Sequence, residues 1–220
     1  AILIDRANQF LDGLCALPSP LLPEVTSVRL PKPDGGSRLI GLMDTLIRVW
    51  GRTRRGMSTE WEHEHRCQEV WGTGQGMSSS DAAFAHNLMA EMSRLIDEHT
   101  LTVMIDVWKW YETIPPSILL EQAQLLGFPL RLVGMCVQSY YQKRTVRAFG
   151  SLSEPYSSYQ GMIAGCSQAT TFLMVLGYSA VKRAKDAGPS VQPRALVDDI
   201  TMQWVGTALS RGVELRRVTA

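Results

Sequence analysis

No apolar run in this sequence approaches the roughly 20 residues that a membrane-crossing helix requires. The opening Ala1 to Ile4 is followed at once by Asp5 and Arg6, unlike a secretory leader. Cysteine is sparse: Cys15, Cys67, Cys136 and Cys166 are widely scattered with no Cys-x-x-Cys spacing, which excludes a zinc module and a small disulfide framework and leaves reduced, partly buried thiols. There is no internal repeat and no low-complexity tract. Net charge is nearly absent as well, at +1. These absences point to an intracellular protein, nuclear or cytoplasmic, neither secreted nor embedded in a membrane. Its 220 residues, 45% of them hydrophobic, suffice to bury a core.

The small net charge hides an uneven distribution. Arg38, Arg48, Arg52, Arg54 and Arg55 gather with only Asp44 against them, and Arg131, Lys143, Arg144 and Arg147 gather with no acid. Stripes of this kind can bind polyanions, although a solvated helix face explains any single cluster more often than not. His63, His65 and Cys67 alternate, but on a helix they point apart and do not form a metal set. The six tryptophans suit core or interface packing better than base stacking.

The first 23 residues give a short amphipathic stretch, Asn8 to Leu17, and a linker punctuated by Pro18, Pro20 and Pro23. Val25 to Leu30 alternates as a strand, Asp34-Gly35-Gly36 turns it, and Arg38 to Leu42 returns antiparallel. Asp44 can cap a helix over Thr45 to Glu64. Gly72 to Gly76 is a loop, and Ser80 or Asp81 can cap a helix to about Glu98 with Phe84, Leu88, Met92 and Leu95 at helical spacing. Leu101 to Val107 is an apolar strand. Pro115-Pro116 opens a helix through Leu126, and Gly127-Phe128-Pro129 separates it from a helix ending near Gln142. Thr145 to Phe149 reads as a strand, Ile163 to Ala184 as a long helix, and Arg194 to Val197 with Ile200 to Trp204 as a hairpin. The expected class is α+β, a small antiparallel sheet with helices packed on one face.

That last hairpin carries Asp198-Asp199 between apolar neighbours, and the strand over Leu101 to Val107 carries Asp106 near its end. Two ionised carboxylates a few Å apart repel by about 4 kcal/mol at an effective dielectric near 20. A bound cation removes that cost and keeps both ionised. Side chains on a strand alternate faces, so two neighbouring aspartates share one site only near a tight turn. Laying Asp106 beside that turn joins three carboxylates from segments about 90 residues apart. Such a set suits two hard divalent ions, magnesium or else manganese, and nucleotidyl transfer.

The order of these segments resembles the reverse transcriptase family, especially the polymerase of non-LTR retrotransposons, over about residues 30 to 204. The run from Leu30 to Leu42 looks like the fingers motif, which implies that Lys32 and Arg38 meet template or incoming triphosphate. Gly72 to Ala83 looks like the loop before a fingers helix. Ile105 to Glu112 is similar to the first palm motif: Asp106 as metal ligand, Val107 offering its carbonyl, Tyr111 as a steric gate against a ribose 2′ hydroxyl. Gln160-Gly161 with Ala164-Gly165-Cys166 resembles the second, which shapes the nucleotide pocket, and Val197-Asp198-Asp199 matches the third. The chain departs from the pattern at Glu112, where Asp is usual, in lacking the Pro and Ser-Pro after Gly161, and at Leu196, where an aromatic is common.

The resemblance implies a right-hand polymerase without its thumb. An N-terminal helical stretch and linker (1–23) precede fingers (24–100) and palm (101–205), and 206–220 begin an incomplete C-terminal palm extension. About 20 residues follow Asp199, which suggests a fragment or a degenerate copy. The implied activity is RNA-directed DNA synthesis, with an RNA template, a DNA primer and deoxynucleoside triphosphates as partners. Arg48, Arg52, Arg54, Arg55, Lys143 and Arg144 are the candidate nucleic-acid contacts. Two rivals remain: an RNA-directed RNA polymerase palm, and a catalytically dead nucleic-acid-binding remnant of a retroelement.

Overall fold

The computed structural model describes residues 24–33, 35–65, 70–71, 78–188, 191–196 and 199–206. The stretch Asn8 to Leu17, Asp34, Cys67, the Gly72 to Gly76 loop and Asp198 lie outside the described residues. In chain order the elements are β1 (Val25–Pro31), β2 (Ser37–Leu42), α1 (Thr45–Thr53), α2 (Arg55–Glu64), β3 (Val70–Trp71), α3 (Ser79–Leu95), β4 (His99–Asp106), α4 (Trp110–Thr113), α5 (Pro116–Leu125), α6 (Leu130–Tyr140), β5 (Arg144–Ala148), β6 (Ser151–Leu152), α7 (Ala169–Ala187), β7 (Val191–Leu196) and β8 (Asp199–Gly206). The chain divides into two compact units, Ala1–Ser58 with Lys109–Ala169 and Thr59–Trp108 with Thr170–Ala220.

Instead of the one small antiparallel sheet expected, there are two four-stranded sheets, one in each unit, and both are mixed. The first unit orders its strands β2-β1-β5-β6, and β1 runs parallel to β5. Its core forms where α5 and α6 supply apolar faces. Pro116 stands at the start of α5, where a missing N–H costs nothing. In α6, Leu132, Val133, Cys136, Val137 and Tyr140 fall on one helical face and are buried. The sulfurs of Cys136 and Cys166, both buried free thiols, approach to 3.7 Å.

The second unit orders its strands β3-β7-β8-β4, with β7, β8 and β4 antiparallel and the short β3 parallel to β7. Phe172, Leu173, Val175 and Trp204 are buried in its core. Buried Glu62 accepts a hydrogen bond from the hydroxyl of buried Thr171. A capping box starts α3: the Asp81 backbone N–H donates to Ser78 Oγ at 3.1 Å, and the Ser78 backbone N–H to Asp81 Oδ2 at 3.2 Å. The cap is therefore Ser78, ahead of the Ser80 or Asp81 expected, and Asp81 serves as its reciprocal acceptor.

Two further expectations change. The helix over Thr45 to Glu64 is two helices broken at Arg54; the Thr53 hydroxyl donates to the Trp50 carbonyl at 2.8 Å and competes with the helical ladder. The helix expected from Ile163 begins at Ala169, because Ala164 is engaged elsewhere: its carbonyl accepts from the Gly41 backbone N–H at 2.9 Å. No helix among the described residues is long and apolar enough to cross a membrane.

Candidate active site

In the second unit, β4 pairs with β8 over eight positions, from His99 opposite Gly206 to Asp106 opposite Asp199. Residues directly opposite in an antiparallel pair project to the same face. The two aspartates therefore sit side by side at one end of the ladder, both exposed. Among the described residues neither carboxylate makes a hydrogen bond or an ion pair, so nothing there offsets their mutual repulsion. Leu196 on β7 pairs with Asp199, so two residues, Val197 and Asp198, separate paired positions of the hairpin. Asp198 is thus covalently adjacent to Asp199 and lies outside the described residues. Val107 follows β4 directly and is half-buried.

As donors, Asp106, Asp199 and the Val107 carbonyl are all hard oxygens, which fits magnesium or manganese and not a thiolate-seeking metal. Among the described residues no group of three or more His, Cys, Asp or Glu side chains is placed to hold a metal ion. His63 and His65 do not form one. His65 instead stacks on Trp61 with ring centroids 4.2 Å apart.

The first unit holds the other candidates. Tyr111, half-buried, lies in the short helix α4, and its carbonyl accepts from the Met162 backbone N–H. Next to that bond, the Gly161 backbone N–H donates to the Ile114 carbonyl at 3.0 Å. Tyr111 and Gly161, 50 positions apart in sequence, are thus held together by backbone. Gln160 is exposed, and its carbonyl accepts from Ser158 Oγ at 2.9 Å.

Lys32 lies in the turn after β1, where its N–H donates to the Gly36 carbonyl at 2.9 Å. Arg38 pairs with Leu30 across β1 and β2. Both are exposed, as are Arg48, Arg52 and Lys143, whereas Arg54 and Arg55 are half-buried. Arg144 differs from the rest. It is half-buried and donates Nη2 to the carbonyls of Tyr140 at 3.0 Å and Gly161 at 3.3 Å, so it braces the loop that carries Gly161. Burial lowers its pKa from the ordinary arginine value.

Sequence reasoning named Gly165 only as part of a motif, and passed over its close packing and over Gln168. Gly165 has φ +136, and a Cβ there would strike the Gly41 carbonyl. Gln168, fully buried, donates Nε2 to the Gly51 carbonyl at 3.0 Å. The available signal was Gly41 itself, since a glycine inside a strand often marks close approach of another backbone.

No protein-family model matches the sequence, and no curated protein matches it. Solved structures do resemble it. Apo telomerase of Candida tropicalis truncated from its C-terminal domain superposes with a TM-score of 0.64 at 14% identity, covering 93% of this chain and 47% of that one. The apo telomerase of the same organism gives 0.62 at 13%, covering 97% and 43%. Telomerase of Candida albicans, in complex with a three-way-junction (TWJ) fragment of telomeric RNA, gives 0.60 at 14%, covering 93% and 40%. The chain spans less than half the length of these structures. At such identity the likeness is one of fold alone, a mixed α+β arrangement shared with these structures.

Proposed function

We propose that this chain is the fingers and palm segment of an RNA-directed DNA polymerase that transfers deoxynucleotides to a primer 3′ hydroxyl. The observation that carries the reading is Asp106 directly opposite Asp199 at the open end of β4 and β8, with Asp198 next in sequence. The telomerase-like fold supports it at a coarser level. Origin in a non-LTR retrotransposon, and action inside the cell, belong to the same proposal.

Asp106, Asp198 and Asp199, with the Val107 carbonyl, would hold two magnesium or manganese ions. When bound, such ions lower the pKa of an attacking hydroxyl and neutralise charge on the leaving pyrophosphate. The chain's own residues do the positioning. Lys32 and Arg38, both exposed, would meet phosphate. Tyr111, fixed to Met162 by backbone, screens the sugar at its 2′ position, while Gln160 and Gly161 shape the nucleotide pocket. Arg48, Arg52, Arg54, Arg55 and Lys143 track the nucleic-acid backbone, and Arg144 acts by bracing Gly161.

Primer extension on an RNA template, with magnesium and deoxynucleotides, tests the proposal beside Asp106→Asn and Asp199→Asn. Extension lost in both variants while their circular dichroism is unchanged is the expected result. Equal extension by Asp199→Asn would refute the site. A folded wild type that binds RNA and extends nothing would point to the dead remnant. Ribonucleotide incorporation at the deoxynucleotide rate, unaffected by Tyr111→Ala, would point to an RNA polymerase.

A further inference from the structure

β5 and β6 form a hairpin closed by Ala148 opposite Ser151, which leaves a turn of two residues, Phe149 and Gly150. Both have left-handed backbone, with φ of 50 and 80. Two-residue turns of this hand favour asparagine or aspartate followed by glycine, because a Cβ at positive φ crowds the backbone. Phenylalanine is a poor choice for that conformation. It also gains nothing by burial, since Phe149 is 98% exposed. An apolar ring held at a strained tip with no folding benefit points to a role outside the fold.

The surroundings indicate what it meets. From Gln122 to Ser153 the chain contains no acidic residue, while Arg147 on the hairpin and Lys143, directly before β5, are exposed cations. Leu152, paired with Arg147, is 66% exposed, and Tyr159 further along is 77% exposed. A positively charged edge with projecting rings is the chemistry that binds single-stranded nucleic acid: cations on phosphate, rings on base faces. An anionic lipid surface or an acidic protein would also meet a ring set among cations; the polymerase reading above is what selects nucleic acid. We propose that Phe149, at the tip of the β5–β6 hairpin, is a stacking post for an unpaired nucleobase, with Lys143 and Arg147 holding the flanking phosphates. The choice of nucleic acid as partner rests on the polymerase reading above.

Fluorescence anisotropy of the whole chain tests this, using a fluorescein-labelled RNA strand of about 12 nucleotides, the DNA strand of the same sequence, and the blunt duplex. Phe149→Asn places the preferred residue in the turn, so it should melt no lower than wild type. It should nevertheless weaken single-strand binding about 5- to 150-fold, the effect of one lost base stack. Phe149→Trp should retain binding. The salt dependence should be unchanged in Phe149→Asn, because stacking releases no counterion, and shallower by about 0.7 in Arg147→Ala. A larger loss on RNA or on DNA would identify which strand the tip takes.

Unchanged affinity in Phe149→Asn would overturn the proposal, as would an equal loss on duplex, which offers no free base face within its stack. Dissociation of a wild-type oligomer by Phe149→Asn with binding intact would assign the tip to a second copy of the chain. Primer extension separates the two readings. If the wild type extends primers and Phe149→Asn binds as it does, only this inference falls; if the wild type neither binds single strands nor extends, both fall.

Discussion

Replacing Gly161 with alanine probes the join between α4 and the loop ahead of α7. Gly161 has φ +82, and a Cβ built on it lies 2.6 Å from the Glu112 carbonyl oxygen and 2.8 Å from the carbonyl carbon and Cα of the same residue. These are backbone atoms, which cannot swing aside. Nor can α4 retreat freely, because the loop is bonded to it through Gly161 to Ile114 and Met162 to Tyr111, and Arg144 holds the Gly161 carbonyl. Two costs therefore add: about 1–2 kcal/mol for a Cβ in left-handed backbone, and about 1–3 kcal/mol for forcing an atom into filled space. The expected loss is about 2–5 kcal/mol. Gly127→Ala and Gly150→Ala separate the terms, since both positions have positive φ, 64 and 80, with nothing within 4 Å of the added Cβ. Urea unfolding measures all three, read as midpoint shifts at constant slope. Gly161→Ala should lose at least about 1 kcal/mol more than either control. A midpoint equal to that of Gly127→Ala would refute the steric argument and, with it, the view that this glycine positions Tyr111.

Two further outcomes follow from the second unit. Asp106 and Asp199 are like charges directly opposite, an arrangement that costs a strand pair about 0.2–1 kcal/mol; in chelator Asp106→Asn should melt higher than wild type, and magnesium should raise the wild-type melt but not the variant's. A variant that melts lower in chelator would contradict the pairing. Burial, and secondarily the Arg194 guanidinium, lower the pKa of His86 from its ordinary 6.5. Among the described residues its buried Nδ1 has no hydrogen-bond partner. Because the folded value lies below the unfolded one, the unfolded chain takes up the proton first, so stability is full above about pH 6.5 and declines as pH falls. Chemical unfolding across pH 5 to 8 should show that decline in wild type and a flatter curve in His86→Gln; parallel curves would show that His86 is not the responsible group.

Elements whose boundaries are set by local chemistry were legible in the sequence. Pro116 and Gly127-Phe128-Pro129 frame α5 and α6 where proline and glycine require, and the alternating runs before and after Asp34-Gly35-Gly36 pair as β1 and β2. What was not legible depends on partners distant in sequence. The parallel pairing of β1 with β5 splits the expected single sheet in two, and no local pattern encodes it. The strand expected through Phe149 ends one residue earlier, because the turn uses Phe149 in a conformation that its residue type argues against. Helical spacing of Phe84, Leu88, Met92 and Leu95 is correct, yet all four are exposed, from 46% to 85%. The covered side of α3 is a different one: Ser93 is buried, and Ala82, Ala85, His86, Met89 and Ala90 are half-buried. Periodicity gives the angle between residues, not which side the sheet covers.

For the site, the same distinction decides which residues sequence could relate. Asp106 and Asp199 were joined across about 90 residues because Asp106 closes one apolar strand and Asp199 stands at the turn that opens another, and an antiparallel pair in register brings those side chains level; the β4–β8 pairing sets Asp106 opposite Asp199. A shift of one residue would have put the two carboxylates on opposite faces, so the eight-position register matters more than the presence of either aspartate. Tyr111 and Gly161 were named separately, and their relation was invisible because it runs through main-chain groups that every residue carries. Only glycine leaves a trace of such contacts, by excluding every other side chain. Gly161 against Glu112 and Gly165 against Gly41 mark two places where backbone meets backbone in the first unit, and both glycines lie in the loop that leads into α7. The metal-ligand candidates could therefore be read from charge, whereas the nucleotide-pocket candidates depend on close packing that sequence records only as glycine.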